Sequence, residues 1–457
     1  MSFDTLTFWC IFLVVLVLYW NTQKKMQNYI LLFASLLFYS AWDIKFTILL
    51  VFSSSIDFIV ALALEKDFSR IKRRCLLGFS VVMNIGLLFF FKYYLTLVHG
   101  HPTSNLPAFD SIYKWGLPLG ISFYTFQILS YTIDVYKRKI TPTRSITDFM
   151  LFVSFFPQLV AGPIEKARHL LPQIQTARKL TFENLEQGFY LCLWGLFKKM
   201  YVANGLAYPL ENYFAQTGAI QAPETIFVFL LTSFQIYADF SGYSDIARGL
   251  AQMMGFEVMI NFKPFWTSKN PNEFWQRWHI SLTRWLRDYV FVPLHKRHES
   301  FSTQSIKIIF IMALVGIWHG ASLNWLLFGL FNGFVIVTYQ ITKKYNLFPK
   351  FFGIVLLLCM YFGNSLLHRS TNWTLIQKNL FSLQNWSSWA GTYDLFRYTF
   401  WLILPVILIE TFVQLHNAEK KTYLHHYVTK LGFCVLCLTG IIFLERSGQL
   451  GFIYFDF

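Results

Sequence analysis

Between residues 308 and 337 the chain reads IIFIMALVGIWHGASLNWLLFGLFNGFVIV, thirty residues in which His319 is the only ionisable side chain. An apolar run of that length exceeds the ~20 residues a helix needs to cross ~30 Å of hydrocarbon. No water is available there to satisfy peptide N–H and C=O groups, so the run must be helical. An imidazole at that depth is costly to keep, which makes His319 a functional candidate. The structural alternative is a ring that hydrogen-bonds a neighbouring helix. Gly316, Trp318, Gly320, Ser322 and Asn324 surround it. A lipid-facing helix has no need of such small and polar groups, whereas a cavity wall does.

The rest of the chain obeys the same constraint. Of 457 residues, 55% are hydrophobic and 14% are charged, a composition that predicts a polytopic membrane protein. The net charge of +15 then reflects loops that face the cytoplasm, and no nucleic-acid partner is expected. Apolar runs at 29–42, 46–64, 75–98 and 116–136 alternate with basic loops at 24–25, 66–74 and 137–144. The positive-inside rule therefore places every second loop in the cytoplasm and the N-terminus outside. The opening MSFDTLTFWCIFLVVLVLYW lacks a basic leader and a small-residue cleavage site, and reads as a retained first span. Segment 149–162 is short, contains Pro157 and is followed by basic residues, so it is expected to enter the membrane and return.

Further spans are predicted near 189–207, 225–243, 308–339 (with a break at 316–320), 351–367, 400–413 and 431–444. The expected fold is an all-α polytopic membrane protein of about eleven transmembrane helices with re-entrant and interfacial helices. It is read as one domain over 1–457. The six cysteines lack the spacing and histidines of a zinc site, and no metal is expected. Cys434 and Cys437 lie in an apolar run and read as thiols on a helix face rather than a redox pair.

Two stretches break the monotony. In PNEFWQRWHISLTRWLRDYVFVPLHKRH (271–298), Phe274, Trp275, Trp278, Leu282, Trp285, Leu286 and Tyr289 recur at helical spacing, with Arg277, Arg284 and Asp288 opposite. This predicts one amphipathic helix at the cytoplasmic interface, with His279 bordering its apolar face. In DFSGYSD (239–245) the two aspartates stand six apart, off a single helical face, and Ser241 with Gly242 is expected to break the helix. Helix capping by these aspartates, or their pairing with Arg248, Arg284 or Arg287, is predicted ahead of a metal site or carboxylate dyad.

The segments FVSFFPQLVAGPIEKARHLLPQ (152–173), YADFSGYSDIARGLAQMMGFEVMINFKPFWTSKNPNEFWQRWHISLTRWLRDYVFVPL (237–294) and LVGIWHGASLNWLLFGLFNG (314–333) resemble the membrane-bound O-acyltransferases. The resemblance is to the bacterial branch holding alginate O-acetyltransferases, peptidoglycan O-acetyltransferases and teichoic-acid D-alanyl transferases. It implies a membrane-embedded central tunnel in which acetyl-CoA or another acyl thioester meets a histidine and the acyl group passes to a hydroxyl. It implies His319, in Trp-His-Gly, as general base and His279 as a second histidine that positions or polarises. An imidazole with an ordinary pKa near 6.5 suits proton removal at cytoplasmic pH.

Other residues take roles from the same motifs. Trp318, Asn324, Asn270, Asp245 and Arg284 are candidates for the tunnel wall or substrate contact, and the two amides serve either carbonyl polarisation or structure. Lys263, Lys269, Arg277, Arg284 and Arg287 suit the phosphates of CoA, an acyl carrier protein, or anionic membrane lipid. The terminal GFIYFDF (451–457) resembles a short C-terminal motif of bacterial O-acetylation systems. It implies Tyr454 as an acyl relay to a periplasmic acetyltransferase- or esterase-like partner, the alternative being an interfacial aromatic. HKRH at 295–298 replaces a Gly-Gly-Asn-Arg-like turn of the alginate branch, which leaves alginate, peptidoglycan and other surface glycans open as acceptors. The implied location is the bacterial inner membrane. The competing class is a multi-pass transporter or channel in which His319 gates protons or binds substrate; such proteins often carry paired repeats, and none is visible in the sequence.

Overall fold

A computed structural model describes residues 2–94, 116–216, 220–370, 373–416 and 427–444, and every regular element among them is helical. Among the described residues seven helices are long and apolar enough to cross a membrane: Ile44–Glu65, Arg70–Tyr94, Ala222–Met253, Phe301–His319, Leu323–Tyr345, Phe352–Arg369 and Ala390–Leu415. Leu6–Trp20 and Thr429–Phe443 are shorter apolar helices. The chain is a multi-pass membrane protein. It packs as two compact units, Met1–Cys192 with Ile246–Ile260, and Leu193–Asp245 with Asn261–Phe457.

The first unit is tied together by polar groups inside its helices. Asp57, fully buried in Ile44–Glu65, accepts hydrogen bonds from Asn84 Nδ2 (2.6 Å), Thr132 Oγ1 (3.0 Å) and Ser80 Oγ. A carboxylate among apolar helices needs such donors to stay there. Segment 149–162 forms Ile146–Ser154 and Phe156–Leu159, broken at Phe155 and buried along its length. Nine residues of helix extend only ~14 Å, about half the hydrocarbon thickness. That length fits the expected re-entrant path.

The second unit departs from the sequence-based expectations in three places. The break expected at 316–320 in the run 308–337 falls at Gly320, but it separates two whole helices rather than interrupting one span. Ser300 Oγ caps a helix at Thr303 N–H (3.2 Å), so Phe301–His319 begins upstream of the run and ends at an extended Gly320. Trp325 N–H then bonds Ser322 O (3.1 Å) as Leu323–Tyr345 begins. The two helices form an antiparallel hairpin in which a Cβ on Gly316 would overlap the Trp325 carbonyl oxygen, and one on Gly329 the Met312 carbonyl oxygen. Small residues at such contacts let membrane helices approach closely.

Stretch 271–294 is likewise not one helix but Pro271–Arg277, Ile280–Leu286, a widened turn Arg287–Phe291 and Val292–Leu294. Conversely, the break expected at Ser241 and Gly242 is absent, because Ala222–Met253 runs unbroken for 32 residues.

Candidate active site

His279 occupies the interruption between two short helices. Asn270 Oδ1 caps the first by accepting from Glu273 N–H (3.1 Å), Pro271 opens it, and Trp278 N–H closes on Phe274 O (2.8 Å). The next residue, His279, has φ 43°, the left-handed region that costs a non-glycine residue about 1–3 kcal/mol. Ile280 N–H to Asn261 O and Lys263 N–H to Arg277 O, both 2.8 Å, lace 261–263 against 277–280 and hold the bend. The bend turns the imidazole inward until it is 1% exposed.

Hydrogen bonding fixes which nitrogen carries the proton. His279 Nδ1 lies 3.2 Å from Asn261 Oδ1. Ser281 N–H (3.2 Å) and Ser281 Oγ (2.8 Å) converge on that same atom. A backbone N–H can only donate, so the shared atom is the amide oxygen and His279 Nδ1 is protonated. The lone pair is therefore on Nε2. His279 lies outside the seven helices long enough to cross, and burial holds its pKa well below the ordinary imidazole range. The ring stays neutral in this one tautomer.

His319 is the last residue of Phe301–His319. Its ring stacks on Trp325 (centroids 5.1 Å apart, planes 22°) and meets Trp318 edge to face at 4.9 Å. Trp318 reaches His279 at 6.1 Å, and Trp325 meets His368 at 5.3 Å. His279, Trp318, His319, Trp325 and His368 thus form a continuous chain of rings. All three histidines line one cavity of about 70 Å³, which is walled by aromatics including Phe274, Trp278 and Tyr361 and carries Asp239, Asn364 and Ser365 as further polar groups. That space suits a few waters or a small acyl group.

Comparison with known proteins bears directly on this cavity. The description "MBOAT, membrane-bound O-acyltransferase family" matches residues 135–367, just over half the chain and the stretch holding His279 and His319. The chain belongs to the membrane-bound O-acyltransferase family. It is 36% identical over 342 residues to the "probable alginate O-acetylase AlgI" of Pseudomonas putida, covering 73% of this chain and 69% of that protein. The protein of the same name from Pseudomonas syringae pv. tomato is 35% identical over 341 residues, 73% of this chain but 65% of that one. The chain therefore spans about two thirds of the length of these relatives. The peptidoglycan O-acetyltransferase of Helicobacter pylori is 28% identical over 482 positions, 93% of this chain and 91% of that protein.

Against this membrane-bound O-acyltransferase framework the sequence-derived candidates separate. His279, Trp318 and His319 come together, Trp318 being the spacer between the two histidine rings. Asn270 is the helix cap described above. Asn324 Nδ2 donates to Ser370 O, and Arg284 is exposed. Neither amide, nor Arg284, nor Asp245 is among the cavity-lining residues. Tyr454 lies outside the described residues.

Asp245 pairs with Lys198 (2.6 Å), a partner beyond the three arginines named from the sequence. Residues 197–203 form a widened π-type turn that aims both Lys198 and Lys199 inward, and a Cβ on Gly242 would stand 2.8 Å from Gly195 O. That close approach puts Asp239 and Asp245, flanking Gly242, within reach of the two lysines, so Lys199 takes Asp239 (2.7 Å). Lys198 also binds Glu410 (3.0 Å), which accepts from Tyr237 Oη (2.5 Å) and Trp194 Nε1 (3.2 Å).

Sequence reasoning passed over Glu410 and His368. The signal for Glu410 was a single carboxylate inside the apolar run 400–413. His368 stands beside Arg369 at the end of a span, where polar residues ordinarily mark the interface. Among the described residues no group of three or more His, Cys, Asp or Glu side chains is arranged to hold a metal ion.

Proposed function

We propose that this protein is an O-acetyltransferase of the bacterial inner membrane that moves an acetyl group from a cytoplasmic thioester toward a hydroxyl of an extracytoplasmic glycan. The observation that carries the reading is the small aromatic cavity where three histidines converge, one of them locked as a neutral Nδ1–H tautomer.

His319 is the base. As the acceptor oxygen attacks the thioester carbonyl, His319 takes the hydroxyl proton, the C–S bond breaks, and the proton passes to the departing thiolate. The products are an ester and a free thiol. Positive charge developing on His319 lies against the face of Trp325 and at the C-terminal end of its helix, both attractive to a cation. His279 takes the other role. With its proton committed to Asn261 and a lone pair on Nε2, it accepts from the hydroxyl and orients it; it does not polarise the carbonyl by donating from Nε2.

The donor is acetyl-CoA or an acyl carrier protein, met by Lys263, Lys269, Arg277, Arg284 and Arg287 on a cytoplasmic face shared with membrane lipid, and the N-terminus lies outside. Two observations favour peptidoglycan as acceptor: the near end-to-end match to the Helicobacter pylori protein and HKRH at 295–298. Tyr454 and a periplasmic acetyltransferase- or esterase-like partner complete the hand-over.

The test is His319→Ala in a host with no other such transferase. Base-labile acetate on peptidoglycan disappears while membrane abundance of the protein stays normal; retained acetate overturns the reading. Transport of labelled acetyl groups by reconstituted protein without ester formation would favour the transporter alternative.

A further inference from the structure

We propose that His368 is a positioning residue that sets the ring of His319 through Trp325. The inference rests on the reading of His319 as base. His319 ends a helix at a turn, where its ring would swing about two torsions unless neighbours held it, and a base is effective only within a fraction of an ångström of its proton. The ring that lies flat on it is Trp325. Trp318 and Phe328 meet the edges of the His319 ring, and the plane of that ring follows whatever orients the Trp325 indole.

Three elements do so. The turn closes over one edge: a Cβ on Gly320 would overlap Trp325 Cδ1 and sit 2.5 Å from its Nε1. Phe328, one turn on, packs at 75° and 5.5 Å. His368 arrives from a third helix, Phe352–Arg369, at 81° and 5.3 Å. That helix is held in register with Leu323–Tyr345. Asn332 Nδ2 donates to Asn364 Oδ1 (2.7 Å), one turn before His368, and a Cβ on Gly363 would come 2.5 Å from the Phe331 ring. The register decides that the side chain meeting Trp325 is His368. The family match ends at residue 367, so nothing in that match assigns the residue a role.

The test uses the full chain in nanodiscs with acetyl-CoA as donor and peptidoglycan oligosaccharides as acceptor, following thiol release. His368→Ala lowers kcat about tenfold with KM for acetyl-CoA within about twofold, the pattern of a displaced base rather than lost binding. His368→Phe, which keeps the ring edge, restores kcat to within about threefold; His368→Gln, which keeps only polarity, does not. If the alanine variant folds poorly, the Phe and Gln variants decide the matter between them. Unchanged kcat in His368→Ala, or rescue by Gln and not by Phe, overturns the inference alone. A folded wild-type chain that releases no thiol from acetyl-CoA or from an acetylated carrier protein, with the periplasmic partner supplied, overturns the functional reading and the inference with it.

Discussion

The second unit places two sets of ionisable side chains among its helices, and they are treated in opposite ways. Lys198 and Lys199 are each 1% exposed and each is met by a carboxylate at 2.6 to 2.7 Å, with Glu410 as a second partner for Lys198. His279 is buried among aromatic rings instead, and the half-buried His319 and His368 both pack against Trp325. A charge cannot be carried into an apolar interior without a counter-charge, whereas a neutral imidazole can, taking up charge only when a proton reaches it. The ion pairs therefore tie helices together, with Asp239 also reaching the cavity wall, whereas His319 can take up and release a proton and serves chemistry.

The largest expected effects separate these two sets by what they leave intact. His319→Ala should lower acyl transfer by roughly 10²–10⁴-fold with thermal melting of the purified protein unchanged. Lys198→Met should do the reverse, leaving Asp245 and Glu410 facing each other without their cation at a cost of about 3–5 kcal/mol. Its readout is lost membrane abundance and a lowered melting temperature, while kcat per folded molecule holds. A stable but inactive Lys198→Met would break the distinction, because the cluster would then take part in the chemistry.

A smaller effect is expected at Asn261, the one acceptor shared by His279 and Ser281. Asn261→Leu releases the tautomer and should lower kcat by about tenfold; a wild-type kcat would show that the tautomer is immaterial.

The smallest effect is on the acid limb of stability. The folded-state pKa of His279 is depressed, so the unfolded chain binds more protons as pH falls below the ordinary imidazole value near 6.5. The stability due to a neutral His279 is fully present above that pH and is lost progressively below it. Melting temperature should therefore fall less between pH 6.5 and 5 in His279→Gln than in wild type, and equal slopes would show that the ring is protonated without penalty.

Much of this was legible from residues alone. Apolar runs of bilayer length admit only helices, so the membrane class followed from composition. The motifs nominated His319 and His279, and helical spacing brought His279 to the apolar side. Spacing could not show that the side chain gets there through a left-handed residue between two short helices, because that φ is held by Asn261 and Lys263, distant in sequence. Nor could it show the hairpin. The sequence pointed to a break near 316–320, but only the contacts of Gly316 and Gly329 with the opposite helix reveal a chain that doubles back.

What the sequence by itself determined, then, was solvent and chemistry: a chain that must be helical because its surroundings hold no water, and an imidazole as the only ionisable group of the run 308–337. Tertiary structure decided partnership. Which carboxylate meets Lys198, which nitrogen of His279 holds the proton, and which third histidine reaches Trp325 all depend on residues far apart in the chain. Hydrogen bonds and ring contacts act over a few ångströms of space, and position along the chain does not encode that distance until the helices have packed.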